Sequence, residues 1–123
     1  MNPVDDVMAV IRRHLDAFAR GDVKALMDDY AETIVFLSPA TGVIKGREAV
    51  SQLYDGLFRD ALPSATTQIS FGEILAEGEI GVVTWNAKNS TLRTEGAADT
   101  FVIRDGKIVG QTGVGAFVPE ASG

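Results

Sequence analysis

Apolar side chains recur every three or four positions at Val4, Val7, Met8, Ile11, Leu15 and Phe18, while Arg12, Arg13, Asp16 and Arg20 take the other side. That spacing lines one face of an α-helix and predicts a helix over 4–20. Pro3 suits its first turn, Asp5 and Asp6 sit at the positive end of its dipole, and Gly21 stands where a C-terminal cap belongs. Asp22 then caps a short second helix reaching about Tyr30, with Val23, Leu26, Met27 and Tyr30 as its stripe. Thr33 to Leu37 is rich in β-branched and aromatic residues, and Ser38-Pro39-Ala40-Thr41-Gly42 closes it with turn chemistry, so one strand is expected there. After Gly46 the helical spacing returns at Ala49, Val50, Leu53, Tyr54, Leu57, Phe58 and Ala61, until Pro63 ends it.

From Thr66 onward the period changes to that of strands. Four are predicted, Thr66–Leu75, Ile80–Leu92, Glu95–Arg104 and Lys107–Val118, separated by Glu77-Gly78-Glu79, Arg93-Thr94 and Asp105-Gly106. Asp105-Gly106 is the strongest turn, because an Asp-Gly pair tolerates the positive φ angles of a two-residue type I′ loop. Gly110, Gly113 and Gly115 in the last strand imply bulging or close backbone approach, hence a curved sheet. Helices first and an antiparallel meander afterwards make an α+β domain, three helices of the N-terminal half packed on a curved antiparallel sheet around a concave cavity suited to a small ligand.

Composition narrows the functions. A chain of 123 residues with 46% hydrophobic content fits a single domain spanning 1–123. The absence of cysteine removes thiolate nucleophiles and cysteine-ligated metals. A net charge of −6 without a Lys/Arg-rich face argues against nucleic acid. The start Met-Asn-Pro-Val-Asp-Asp and the lack of a long apolar run suggest neither signal peptide nor membrane span, and a cytoplasmic protein. No phosphate loop, His-x-x-x-His pair or Gly-x-Ser-x-Gly elbow occurs, so neither cofactor nor metal is expected. Asp28, Asp29 and Glu32 read as a solvated helix end.

Two polar residues stand out. Asp99 shares a strand face with Phe101 and Ile103, pointing where an interior is expected, and an ionised carboxylate there is costly without compensation. It marks either a pocket or an edge position whose register differs by one residue. His14, the single histidine, falls on or beside the buried face of the first helix. It is either a hydrogen-bonded half-buried side chain or an acid/base inside a pocket. Phe18, Tyr30, Phe36, Tyr54, Phe58, Trp85 and Phe101 are candidate cavity walls, with ordinary core packing as the alternative for each. Of Asn86 and Asn89, on opposite strand faces, at most one can line the pocket.

The runs Ala9 to Asp22, Tyr30-Ala31-Glu32, Val35-Phe36-Leu37-Ser38-Pro39 and Gly46-Arg47-Glu48-Ala49-Val50 resemble the first half of the NTF2-like superfamily, in its ketosteroid-isomerase and SnoaL-like polyketide-cyclase branch. Ala98-Asp99-Thr100-Phe101 and Arg104 to Val109 resemble its last two strands and their hairpin. The resemblance implies a cone-shaped cavity fold used by isomerases, cyclases, dehydratases, epoxide hydrolases and non-catalytic binders. In the ketosteroid isomerases a strand aspartate is the base, while a helix tyrosine and a protonated late-strand aspartate bind the oxyanion. Asp99 falls on the late-strand aspartate, His14 on the helix tyrosine, Tyr54 on a supporting tyrosine, and Ser38 where the base should be. A serine cannot replace a carboxylate base near neutral pH, which argues against steroid isomerisation by the usual route.

The expectation is therefore a cofactor-independent acid/base enzyme acting on an apolar carbonyl compound by isomerisation, cyclisation or dehydration. A His14–Asp99 couple, with Tyr54 in support, would carry the chemistry, and Ser38 would join the aromatic wall in binding substrate. The alternatives are a binding module that keeps the cavity without the chemistry, and a homodimer formed through the sheet.

Overall fold

The computed structural model describes residues 3–120, with side chains from residue 6 onward. The expectations placed on Met1, Asn2 and the side chains of Pro3, Val4 and Asp5 lie outside the described residues. Helix α1 (Pro3–Arg20) ends where Gly21 adopts φ +66°, with Gly21 N bonded to Phe18 O and Asp22 N to Ala17 O. This is a Schellman closure, and the absent Cβ is what permits it. Asp22 then caps α2 (Val23–Asp28), its carboxylate accepting from Ala25 N at 3.0 Å. The second helix stops before Tyr30, which instead begins strand β1 (Tyr30–Ser38).

A short strand that the periodicity did not predict, β2 (Gly42–Lys45), folds back on β1. Helix α3 (Arg47–Gly56) follows, and its last turn widens into a π-turn over Leu57–Ala61 before Pro63. The expected strand Thr66–Leu75 is divided into β3 (Gln68–Phe71) and β4 (Leu75–Glu77). Both pair with β5 (Ile80–Lys88), but Phe71 to Leu75 spans four steps where their partners Trp85 and Val82 are three apart. The extra residue breaks the ladder beside Gly72, where a Cβ would collide with Thr84.

Strand β6 (Leu92–Arg104) begins earlier than predicted, because Arg93-Thr94 is not a turn. Asn89 makes the turn instead: its Oδ1 accepts from Thr91 N and Leu92 N, and its Nδ2 donates to Ala61 O and Thr67 Oγ1. Thr94 is buried and accepts from Ala87 N. Asn86 is exposed, and neither asparagine lines the cavities described below. The Asp105-Gly106 turn has φ +53° and +76°, as a type I′ loop requires, and leads into β7 (Lys107–Pro119).

The seven strands form one curved, unclosed sheet in the order β2-β1-β7-β6-β5-β3, with β4 also on β5. It is mixed and not wholly antiparallel, since β1 runs parallel to β7. Helix α1 packs against β4, β5 and β6, and α3 against β1 and β2. Ile11, Leu26, Ile34, Val50, Leu62, Val83, Phe101 and Ile108 fill the space between. No helix among the described residues is long and apolar enough to cross a membrane.

Candidate functional site

Asp99 lies in the middle of β6, facing inward with Ala97 and Phe101, opposite Val83 on β5 and Gly113 on β7. A Cβ at Gly113 would stand 3.2 Å from Asp99 Oδ2, so this glycine leaves the space the carboxyl occupies. Trp85 Nε1 donates to Oδ1 at 2.9 Å and Gln111 Nε2 to Oδ2 at 2.7 Å. Burial pushes the Asp99 carboxyl above the ordinary carboxylate range, and these two neutral donors oppose the rise without cancelling it.

The carboxyl faces a cavity of about 280 Å3 walled by Phe18, Phe36, Tyr54, Trp85 and Phe117, with Ser38, Ala40 and Thr41 at its mouth. A smaller void of about 30 Å3 shares Phe18, Tyr54, Trp85 and Asp99 and adds His14, Phe101 and Gln111. Among the described residues, no Lys or Arg lines either space. A desolvated anion in the larger space would find no cationic side chain on its wall, so that cavity suits neutral, largely apolar ligands.

His14 is 2% exposed, yet no hydrogen bond joins it to Asp99. Its Nδ1 is 3.1 Å from Asp29 Oδ2 and its Nε2 3.0 Å from the Tyr30 hydroxyl. With both ring nitrogens engaged, and both Asp99 oxygens held by other groups, the direct His14–Asp99 couple expected from the sequence is not formed. Asp29 corrects a second expectation. It is 1% exposed and not part of a solvated helix end, because Arg13 Nε reaches its Oδ1 at 2.7 Å while His14 takes Oδ2. Burial pushes its carboxyl up, but the hydrogen bonds from His14 and Arg13 outweigh that and hold it below the ordinary range.

Tyr30 is fully buried and lines neither cavity; its hydroxyl is the hub of a network instead of a wall. It donates to Gln111 Oε1 at 2.5 Å and lies 2.9 Å from the Tyr54 hydroxyl. Burial drives both phenols well above their ordinary value, so both remain neutral donors. Phe58 stacks on Tyr54 with ring centroids 6.0 Å apart and lines neither cavity. Ser38 stands at the mouth, its Oγ accepting from Ala40 N at 3.2 Å.

Gln111 and Phe117 were not singled out in the sequence, and Asp29 was read there only as part of a solvated helix end. Asp29 carried a signal: an acidic side chain at a helix C-terminus opposes the dipole and needs a nearby cation, which Arg13 supplies. Gln111 carried none, because a regular hairpin from Asp105-Gly106 would turn it outward. Among the described residues, no group of three or more His, Asp or Glu side chains is arranged to hold a metal ion.

Comparison with known proteins adds a family. A model described as a SnoaL-like domain matches residues 11–111. No curated protein matches the chain. Among solved structures, a candidate ketosteroid isomerase from Kribbella flavida is similar over 100% of this chain and 87% of its own, with TM-score 0.79 at 18% identity. An NTF-2 like protein of unknown function from Burkholderia xenovorans is similar over 98% of this chain and 89% of its own, with TM-score 0.75 at 20% identity. An epoxide hydrolase of the LEH-like type from M. tuberculosis is similar over 94% and 86%, with TM-score 0.72 at 14% identity. At these identities the likeness is one of fold, the NTF2-like cone.

Proposed function

Because the chain belongs to the SnoaL-like family, as the residues around His14 and Asp99 implied, we propose that it is a small-molecule enzyme whose cavity carboxyl, Asp99, moves protons on a neutral apolar carbonyl compound. The observation that carries this reading is a carboxyl raised by burial, yet held by two donors, at the floor of an aromatic cavity. A raised carboxyl is a stronger base when ionised and a usable acid when protonated, which is what enolisation needs in its two directions. Asp99 takes a proton from the carbon beside the carbonyl and returns it elsewhere, giving isomerisation, cyclisation or dehydration according to the substrate. Tyr54, in the same wall, is the donor available to the carbonyl oxygen. His14 acts from behind the floor. No cofactor is invoked for this proton chemistry.

The test is hydrogen–deuterium exchange at the α-carbon of a panel of neutral aryl ketones and cyclic enones in heavy water, followed by NMR. Exchange catalysed by the wild type should fall by roughly 10²- to 10⁴-fold in Asp99→Asn. Equal exchange in both proteins rejects the assignment. A second reading, a binding module, is favoured by Ser38, whose hydroxyl is tied into its own turn where the related enzymes place a base. Saturable binding of the same ketones with no exchange would support it. A homodimer through the outer face of the sheet belongs to either reading, supported by the exposed Leu37, Val43 and Val114 around one groove.

A further inference from the structure

Asp29, His14, Tyr30, Gln111 and Asp99 are joined end to end by hydrogen bonds across the core, at 3.1, 3.0, 2.5 and 2.7 Å in that order. Each link has a direction. Asp29 already accepts from Arg13, so His14 Nδ1 is the donor to it. An amide donates only from nitrogen and accepts only at oxygen. With Gln111 Nε2 toward Asp99, the carboxyl accepts and needs no proton of its own, and Gln111 Oε1 takes the Tyr30 proton. The Tyr30 oxygen is then left to accept, so His14 Nε2 must donate, and the ring is an imidazolium.

Turning the amide over reverses every link between Asp99 and His14. Asp99 then carries a proton and donates to Gln111 Oε1, Gln111 Nε2 donates to Tyr30, and the Tyr30 proton goes to His14 Nε2, whose ring is neutral. Both arrangements hold the same number of protons. If both Asp99 and His14 are protonated, Tyr30 can turn its proton to Tyr54, 2.9 Å away. If neither is, the Tyr30 oxygen and His14 Nε2 meet lone pair to lone pair, or Gln111 Oε1 meets the Asp99 carboxylate. A buried contact of that kind carries an unsatisfied desolvation cost, so the array resists losing its last proton.

We infer that Asp99 and His14 share this last proton through Gln111 and Tyr30, the amide turning over to match, so that the cavity floor presents an ionised acceptor to an enol or phenol and, when no such donor is bound, a neutral carboxyl whose proton is held by Gln111. The inference rests on Asp99 as the cavity's proton-transfer group and names the ligand chemistry that group reads. No proton crosses the amide: one arrives at Asp99 from ligand or solvent. The one on His14 Nε2 passes to the Tyr30 oxygen, the Tyr30 proton to Tyr54, and the Tyr54 proton to the cavity, so that the count is kept. The other titratable or charged groups against the array are Arg13 on α1, beside Asp29, and Tyr54 on α3, beside Tyr30; β5 contributes only the neutral Trp85 donor. His14, Gln111 and Tyr30 are thus positioning residues, acting through Asp99.

The experiment needs no ligand. The ring nitrogens of the single histidine and the Asp99 carboxyl carbon are followed by NMR against pH in isotope-labelled protein. In the wild type both nuclei should show two steps with the same pair of midpoints, since coupled groups titrate as a pair. In Gln111→Leu, and in Tyr30→Phe, which keeps the ring, each should revert to one step with its own midpoint. Separate single midpoints in the wild type overturn the inference, as do shared steps that survive either substitution; if a variant does not fold, the wild-type titration decides alone. A failed ketone-exchange assay with shared steps present would reject the enzyme and leave the shared proton standing, and the converse outcome would do the reverse.

Discussion

Burial works against the charged form of both Asp99 and Asp29, and the difference between them lies in their donors. Asp99 has the neutral indole and amide of Trp85 and Gln111, whereas Asp29 has the Arg13 guanidinium and His14. Hydrogen bonds from a charged donor are roughly twice as strong, so one carboxyl stays raised and the other is depressed. The two therefore make opposite contributions to stability against pH. Folded Asp99 binds its proton more tightly than the unfolded chain does. Stability is then lost as pH rises from the ordinary carboxylate value, about 3.9, through the raised folded one. Asp99→Asn escapes that loss. Its stability relative to wild type, measured by urea unfolding at stepped pH, should climb through this window and level off above it; a difference independent of pH would contradict the burial argument. Asp29 has the reverse sign, its contribution being present above the unfolded value and lost as pH falls through the depressed folded one. Asp29→Asn should cost about 1–3 kcal/mol near neutral pH, with a deficit that shrinks in acid.

At the scale of elements, β7 decides what the cavity floor can be. Gly113 leaves room for the Asp99 carboxyl, while Gly115, at φ +131°, lets the strand close on Ala97, whose Cα would lie 2.7 Å from an added Cβ. The two glycines answer different needs, and alanine should separate them. Gly113→Ala meets Asp99 Oδ2 at 3.2 Å and Phe36 Cζ at 3.4 Å, contacts that a shift of a few tenths of an ångström relieves. Its expected effect is about 1 kcal/mol of stability and a displaced indole N–H resonance for Trp85, the single tryptophan, as its bond to Asp99 changes. Gly115→Ala combines an unfavourable φ with a backbone clash and should cost clearly more, about 2–4 kcal/mol. Chemical denaturation of the two variants ranks them, and the opposite order would refute this account of the strand. The same scale explains why Asn89 makes the turn the sequence places at Arg93-Thr94. An Asx side chain that satisfies two backbone N–H groups outcompetes a dipeptide with no special φ.

Over the whole molecule, the sheet has a cavity on its inner side and an apolar groove at its outer face. Leu37, Val43 and Val114 are exposed together on strands β1, β2 and β7, and Val43, at 67% exposure, lines the outer groove and not the cavity. If this face joins two copies, Val43→Asp should halve the mass seen by sedimentation equilibrium while leaving ketone binding intact. A wild type that sediments as a monomer removes the dimer from the proposal. Asp99 lies on the concave side of the same sheet, walled by α1 and α3; Ser38 and Val114 line both spaces, so Val43, which lines the outer groove alone, is a position that alters one without the other.

Local chemistry alone determined much of this protein. The stripe of α1, the Gly21 closure, the Asp22 cap and the type I′ turn at Asp105-Gly106 all depend on residues within a few positions of one another, whereas the facing of Asp99 was left open between pocket and edge. The family resemblance rested on the residue runs themselves. Only the tertiary structure decided the partners. Counting back from the Asp105-Gly106 turn, a regular hairpin pairs Ile103 with Ile108, Phe101 with Gly110 and Asp99 with Thr112, which turns Gln111 outward. The bulge between Ile108 and Gly110 shifts that register by one residue, so Phe101 faces Gln111 and Asp99 faces Gly113. A side-chain period of two converts that single step into a change of face, and it brings the Gln111 amide to the Asp99 carboxyl. Asp29 is the same lesson across a longer distance. Its role depends on α1 lying beside the end of α2, which sets Arg13 and His14 on its two oxygens and leaves His14 one nitrogen for Tyr30 and none for Asp99.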